Sequence, residues 1–336
     1  MESILLLAHT ESDGSLARPA LEALAAAASL GGELHIGLVG AQVQAAADRV
    51  AGAGAERILA VTGEAFAQPR YATDAAAAEA LCRASGAAMV IAPTTSRWSR
   101  ALPGVAFRVG GRVDTHATSL AIHNSVPAVT RWFYRQRMEA VLTRSQRPWI
   151  VLLDAGCVPA WSGASGHASI ESVDVAAGET RTTVTGTRSP DAGQQTIRPD
   201  AKLLFVAGAG WTKKQGDGAT HTAEAEKLIL DFLRASQASL GGSKSLVDLS
   251  GEGEAVLRFM THMNQIGQTG ATPRHDKGLS TCCHGEEPHA VGWRFIGERR
   301  AINLDANCGW ARGKADVVYV ADAFEVMRQV NALLAG

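Results

Sequence analysis

The chain lacks an excess of either charge: 32 Lys and Arg stand against 33 Asp and Glu, for a formal net charge of −1. Such a balance leaves no basic field for a nucleic-acid backbone or an anionic membrane surface. Aromatic residues are scarce at 5%, and Ala and Gly are abundant instead, as in many α/β proteins. The five cysteines are odd in number and follow no repeating spacing, which argues against a disulfide framework and for a reducing compartment. No run approaches the roughly 18 apolar residues that span a bilayer. The apolar stretch near the start follows Glu2 rather than a basic region, so it reads as a first β-strand and not as a signal peptide. A soluble, cytoplasmic protein with small-molecule and protein partners is expected. No nucleophile elbow and no paired-carboxylate motif is present, so hydrolytic chemistry has no carrier.

What is present fits two domains, since 336 residues exceed one typical core. Short apolar runs at 3–8, 33–39, 57–61 and 87–91 have strand length. Ala-rich helical segments at 16–30, 42–51 and 72–85 separate them, and a fourth helix is expected from Ser96 through Val109. Alternating strand and helix predict a doubly wound parallel sheet. VPAVTRWFY, MEAVLTR and PWIVLLDAG then suggest an antiparallel addition at its edge, closing domain one near Cys157. Residues 158–200 are rich in Gly, Ser, Thr and Asp and read as a linker or arm, with short strands possible at 169–176 and 180–187. A second α/β domain spans 201–336. It opens on KLLFVAGAG, continues with a helix at 222–234 whose apolar residues Ala225, Leu228, Ile229, Phe232 and Leu233 share one face, and closes with strands at 300–304 and 317–320 and a helix at 323–334.

Candidate sites lie in this second half. VAGAGW at 206–211 could bring backbone amides to a phosphate or be a plain turn, with Lys213 and Lys214 just beyond. In SLGGSKSLVD, Ser243 and Lys244 follow two glycines; a surface loop explains the composition equally well. The richest stretch is 264–289. There Gln265, Gln268 and Thr269 are interleaved with Gly267 and Gly270, which suits a neutral ligand with several donors and acceptors. Cys282, Cys283 and Cys308 with His284 and His289 match no common zinc spacing and read as free cysteines rather than metal ligands. His9, His116 and His123 read as structural or solvent-facing.

Taken in order, GAGW, SLGGSKSLVD, QIGQTG, AINLD and ADVVYVAD resemble segments of the alpha subunit of the electron-transfer flavoproteins. SLARPALEALAAAASLGGELHIGLVG is similar to that family's first helix and second strand. The resemblance implies FAD bound mainly by domain two, between this chain and a smaller beta subunit, while domain one has a nucleotide-binding-like fold without a ligand of its own. It implies that Ser243, Lys244, Gln268 and Thr269 line the flavin and its ribityl or phosphate portions, with Asn303 and Asp316 toward the adenosine end. His289 matches a histidine beside the pyrimidine edge, where a donor would stabilise negative charge on the reduced ring. Ala209 and Lys244 stand where the family usually has arginine. Glu286 and Glu287 replace an uncharged stretch, with His284 or Lys213 available to offset their charge. The implied activity is electron carriage from a flavin dehydrogenase to a membrane or iron–sulfur acceptor, not transformation of a substrate. The alternatives are a related assembly or docking subunit that has lost FAD, and a Cys/His metal redox protein.

Overall fold

A computed structural model describes residues 2–134, 138–176, 178, 180–186, 197–198, 201–248, 256–267, 270–281, 295–306 and 315–336. The chain divides into two compact units, Met1–Thr187 and Arg188–Gly336. Among the described residues no helix is long and apolar enough to cross a membrane.

In the first unit the expected alternation forms. β1 (Ile4–His9), α1 (Arg18–Ser29), β2 (Leu34–Gly40), α2 (Gln44–Val50), β3 (Arg57–Thr62), α3 (Tyr71–Ser85), β4 (Met89–Pro93) and α4 (Ser96–Arg108) follow one another. β1 alternates its side chains between two cores: Ile4, Leu6 and Ala8 pack with α1 and α2, while Leu5 and Leu7 pack with α3 and α4. Helices therefore cover both faces, which is the doubly wound arrangement. The ends follow local chemistry. Pro occupies the first turn of α1, where a missing N–H costs nothing. Gly86 adopts φ 61° to end α3, the left-handed cap that favours glycine.

Beyond α4 the chain adds β5 (Arg112–His123), β6 (Val126–Phe133), β7 (Met138–Leu142), β8 (Trp149–Leu153) and β9 (Glu171–Ser172). The sheet has nine strands in the order β7-β6-β5-β8-β4-β1-β2-β3-β9. β6 and β7 are the antiparallel addition. PWIVLLDAG is not part of it, for β8 lies parallel between β4 and β5. The reason is burial on both faces. Trp149, Val151 and Leu153 enter one core and Ile150 and Leu152 the other, so the run is continuously apolar, as a central parallel strand must be. β5 escaped sequence reading because its outer half is polar and partly exposed. The 158–186 stretch runs along the first unit: Trp161 N–H donates to Leu21 O at 3.0 Å, and β9 pairs with the edge of β3. Residues 180–186 form no strand.

One buried carboxylate ties the antiparallel addition to the parallel sheet. Asp114 on β5 accepts from Arg144 Nε at 2.9 Å, Arg131 Nη1 at 3.0 Å and Trp149 Nε1 at 3.0 Å. Burial raises this carboxyl, but the bonds from Arg144, Trp149 and Arg131 outweigh it and hold it below the usual range. A depressed carboxyl stabilises the fold above its unfolded pKa of about 3.9 and loses that contribution as pH falls through the lower folded value. Thermal melts of the first unit are thus expected to drop steeply below about pH 4. In Asp114→Asn that acid slope should flatten while stability at neutral pH is lower; an unchanged slope would remove Asp114 as its source.

The second unit contains β10 (Leu203–Ala207), α5 (Thr222–Ser236), β11 (Ser239–Gly242), α6 (Lys244–Asp248), β12 (His275–Thr281), β13 (Ile296–Asn303), β14 (Val317–Val320) and α7 (Ala323–Ala335). Five strands form an all-parallel sheet in the order β11-β10-β12-β13-β14. α5 and α7 pack on one face against Phe205, Ala207, Leu240 and Ile302. Leu204, Val206, Ile266, Ile296 and Ala301 cluster together on the other. Ser239–Gly242 and His275–Thr281, read from sequence as parts of site loops, are strands of this sheet.

Candidate functional site

Sheet order fixes where a ligand can enter the second unit. The chain leaves β10 through α5 to β11 on one side, then returns across to β12 on the other. In open parallel sheets such a reversal leaves a crevice at the carboxyl ends of the strands. Ala207, Gly242, Thr281, Asn303 and Val320 end the five strands there.

Ser243 follows β11 directly. Its N–H extends the ladder to Ala207 O at 3.0 Å, and its buried Oγ accepts the Leu246 N–H at 3.2 Å, capping α6. Since the oxygen serves as acceptor, the hydroxyl proton is left to donate. Lys244 is half-exposed and ion-paired with Asp248, which also meets His262 Nε2 at 3.0 Å. Asp248 is held below the usual carboxylate range, first by the Lys244 hydrogen bond and then by that from His262.

Gln265 is buried beside Gly242, where a short parallel bridge joins them. Asn264 supports it, closing a reciprocal cap with Thr261 and donating from Nδ2 to Leu240 O at 3.3 Å. Gly267 has φ 119°, a conformation that demands glycine. At Gly270 an added Cβ would stand 2.2 Å from Gln265 O, so the turn can close only without a side chain. Asn303, at the end of β13, is 7% exposed, and its Nδ2 has no partner.

Asp316 is not brought to this rim. It precedes β14 at the opposite end of the sheet, where its carboxylate receives the Arg299 N–H at 2.7 Å and Nη2 at 2.8 Å. Val320 is the fourth residue after it, roughly 13 Å further along an extended strand. A carboxylate that does lie at the rim is Asp322, whose Oδ1 accepts the Phe324 N–H at 2.7 Å as the cap of α7. Asp-x-Phe at the start of an apolar-periodic helix is a capping signal that could have identified it. Gln268, Thr269, His284 and His289 lie outside the described residues, as do Glu286, Glu287, Cys282, Cys283 and Cys308.

GAGW enters a 3-10 turn at Ala209–Thr212. Trp211 is fully buried, donates from Nε1 to Thr281 Oγ1 at 2.8 Å, and packs on Phe324 with ring centroids 4.6 Å apart. Thr281 Oγ1 in turn donates to Val206 O at 3.2 Å. Sequence reading missed this clamp, because nothing in GAGW announces that its indole will meet a threonine 70 residues away. Glu226 on α5 similarly fixes the approach to the 264–270 turn, accepting the Arg258 N–H at 2.6 Å and its Nη2 at 2.7 Å.

Among the described residues no group of three or more His, Cys, Asp and Glu is placed to hold a metal ion. Burial pushes the Cys82 thiol up to about 12, so it is an inert core side chain.

The fold defines an α/β protein whose second, all-parallel sheet has its own switch point. The electron transfer flavoprotein domain model matches residues 4–178, and the chain belongs to that family. It is a divergent, alpha-like member: over 331 residues it is 23% identical to the electron transfer flavoprotein subunit alpha of Pseudomonas aeruginosa, covering 98% of this chain and 99% of that one.

Proposed function

We propose that the second unit holds FAD along the carboxyl rim of its parallel sheet. Joined to an electron-transfer flavoprotein beta subunit, the chain then carries electrons in the cytoplasm from a flavin dehydrogenase to a membrane or iron–sulfur acceptor. The observation that carries this reading is the unpaired Asn303 amide buried at the end of β13, on the same carboxyl rim as Ser243 after β11 and Gln265 beside it. A buried amide N–H without a partner costs free energy, and a ligand oxygen would remove that cost. When bound, FAD supplies the reversible redox chemistry.

The chain's own residues supply the binding. The Ser243 hydroxyl and Asn303 Nδ2 are donors on the rim, while Lys244, steadied by Asp248, adds positive charge next to it. Gln268, Thr269 and His289 enter the site by family resemblance, His289 as the donor at the pyrimidine edge, while His284 offsets the charge of Glu286 and Glu287. Asp316 has no part at this rim.

The purified complex of this chain with its beta subunit is expected to show flavin absorbance. A colourless complex that stays colourless after reconstitution with FAD would favour an assembly or docking subunit instead. His289→Ala is expected to lower the first reduction potential of the bound flavin and to leave assembly intact. Potentiometric titration of both proteins checks this, and equal potentials would refute the role given to His289.

A further inference from the structure

The outward face of α4 holds residues that the packing of the first unit does not explain. Trp98, Ala101, Leu102, Val105 and Ala106 turn into the core, whereas Ser96, Arg100, Pro103 and Phe107 are exposed. Their spacings of 4, 7 and 11 residues from Ser96 set these four along one side of a helix with 3.6 residues per turn. Phe107 is 88% exposed, so its ring touches almost nothing of this chain. Pro103 stands inside the helix and has no N–H to give to the Ser99 carbonyl. Neither residue adds to stability where it stands.

The apolar surface continues onto α3. A Cβ added at Gly104 would stand 2.1 Å from Tyr71 Oη, so the tyrosine reaches α4 only because that position is glycine. Tyr71 is itself partly exposed, and the Arg108 guanidinium lies 5.8 Å from its ring centroid.

Arginines flank this surface in excess. α4 contains no acidic residue, and α3 contains two, Asp74 and Glu79. Each carboxylate is divided between two arginines: Asp74 between Arg97 and Arg100, and Glu79 between Arg83 and Arg108. Four guanidinium groups against two carboxylates leave two positive charges uncompensated. The depths differ as well. Asp74 is completely buried and Glu79 is 24% exposed, while Arg83, Arg100 and Arg108 are 60%, 45% and 39% exposed. The groups that meet the surroundings are therefore cationic. The charge balance of the whole chain gives no basic field, but the packing of α3 beside α4 collects one here.

We propose that this face of the first unit, centred on Phe107 and Arg100, docks on an anionic lipid surface. Phe107 enters the boundary between headgroups and acyl chains, Pro103 and Tyr71 lie along it, and Arg83, Arg100 and Arg108 meet lipid phosphates. Charge complementarity and shape favour lipid over an acidic protein. The exposed side of a helix is convex, and Phe107 is held by no neighbour, whereas specific protein docking uses anchors fixed in fitted pockets. A bilayer surface requires neither. The 13 residues of α4 are too few to span a bilayer, and its inner face is committed to the core, so the helix lies on the membrane and does not cross it. One aromatic ring and three arginines give weak, reversible attachment that salt screens. Nothing in this proposal depends on FAD in the second unit.

Co-sedimentation of the full chain with vesicles tests it, using phosphatidylcholine alone and equal parts of phosphatidylcholine and phosphatidylglycerol, each at low and at physiological salt. Binding is expected only to the anionic vesicles and should fall as salt rises. Phe107→Ser should weaken it about tenfold and Arg100→Gln about fivefold. Ser96→Glu puts a carboxylate on the same face at a helix N-terminus, where it favours the helix; it should weaken binding while the melting temperature is kept. Leu333→Ser, at a leucine of α7 that is 81% exposed, should change nothing. No binding to anionic vesicles, equal binding to neutral ones, or original binding in Phe107→Ser and Ser96→Glu would overturn the proposal. Binding to polyglutamate without binding to vesicles would also overturn it, and would assign the face to an acidic polypeptide.

Discussion

Asp74→Ala is expected to destabilise the first unit by about 3–5 kcal/mol. The Asp74 side chain is completely buried and that of Arg97 nearly so, and they meet at 2.7 Å. Arg97 Nη2 also donates to Phe66 O at 2.5 Å. Removing the carboxylate leaves a guanidinium in the core with a carbonyl as its neutral partner and the half-exposed Arg100 as a like charge nearby.

Burial raises the Asp74 carboxyl, and the Arg97 hydrogen bond lowers it by less. A carboxyl raised above its unfolded value contributes stability at low pH and loses it as pH rises through the folded value. Desolvation of the two charges offsets much of what a buried pair gains, although breaking the pair costs more. Replacing both partners by apolar residues, as in Asp74→Leu with Arg97→Met, should accordingly recover most of the loss. Urea unfolding of the single and double variants measures both terms. A single variant within about 1 kcal/mol of the original would mean that water reaches the site and screens the charge.

Trp211→Ala is expected to cost the second unit a similar amount, about 3–5 kcal/mol, the usual range for a large buried side chain. The indole fills the space between the turn after β10, the end of β12 and the first turn of α7. Its loss removes packing from Phe324 and the donor from Thr281. Trp211→Phe keeps most of the volume and loses one hydrogen bond, worth about 1 kcal/mol. The Ala variant should then lose the second unit's melting transition, and with it the FAD proposed to bind there, while the Phe variant keeps both. Equal melting of the two variants would show that the clamp, not the packing, carries the effect.

The two networks differ in how visible they are in the sequence. Asp74 and Arg97 sit on helices whose boundaries are legible from Ala-rich periodicity, but their pairing across 23 residues depends on how α3 and α4 lie against one sheet face. The same holds at the site. Ser243 and Gln265 could be singled out by their glycine neighbours. Asp316 and Asp322 both stand in the family-like segment ADVVYVAD, and the end of the sheet that each occupies is not readable from it. β12 escaped notice because HDKGLST has no strand pattern. It becomes a strand because β10 and β13 flank it, with Thr281 fully buried yet hydrogen-bonded to Trp211.

By itself, the sequence determined the class: apolar runs at strand length, Ala-rich helices between them, balanced charge and an ordered set of family segments specify a two-part α/β protein of the electron transfer flavoprotein family. These are local or compositional signals, and neighbouring residues suffice to produce them. Only the tertiary structure decided strand order, and with it the central place of β8 and the end of the sheet on which each polar residue falls. Strand order is set by which faces can be buried together, an interaction between residues far apart in the chain. A buried polar group reveals whether it has a partner only after that choice is made.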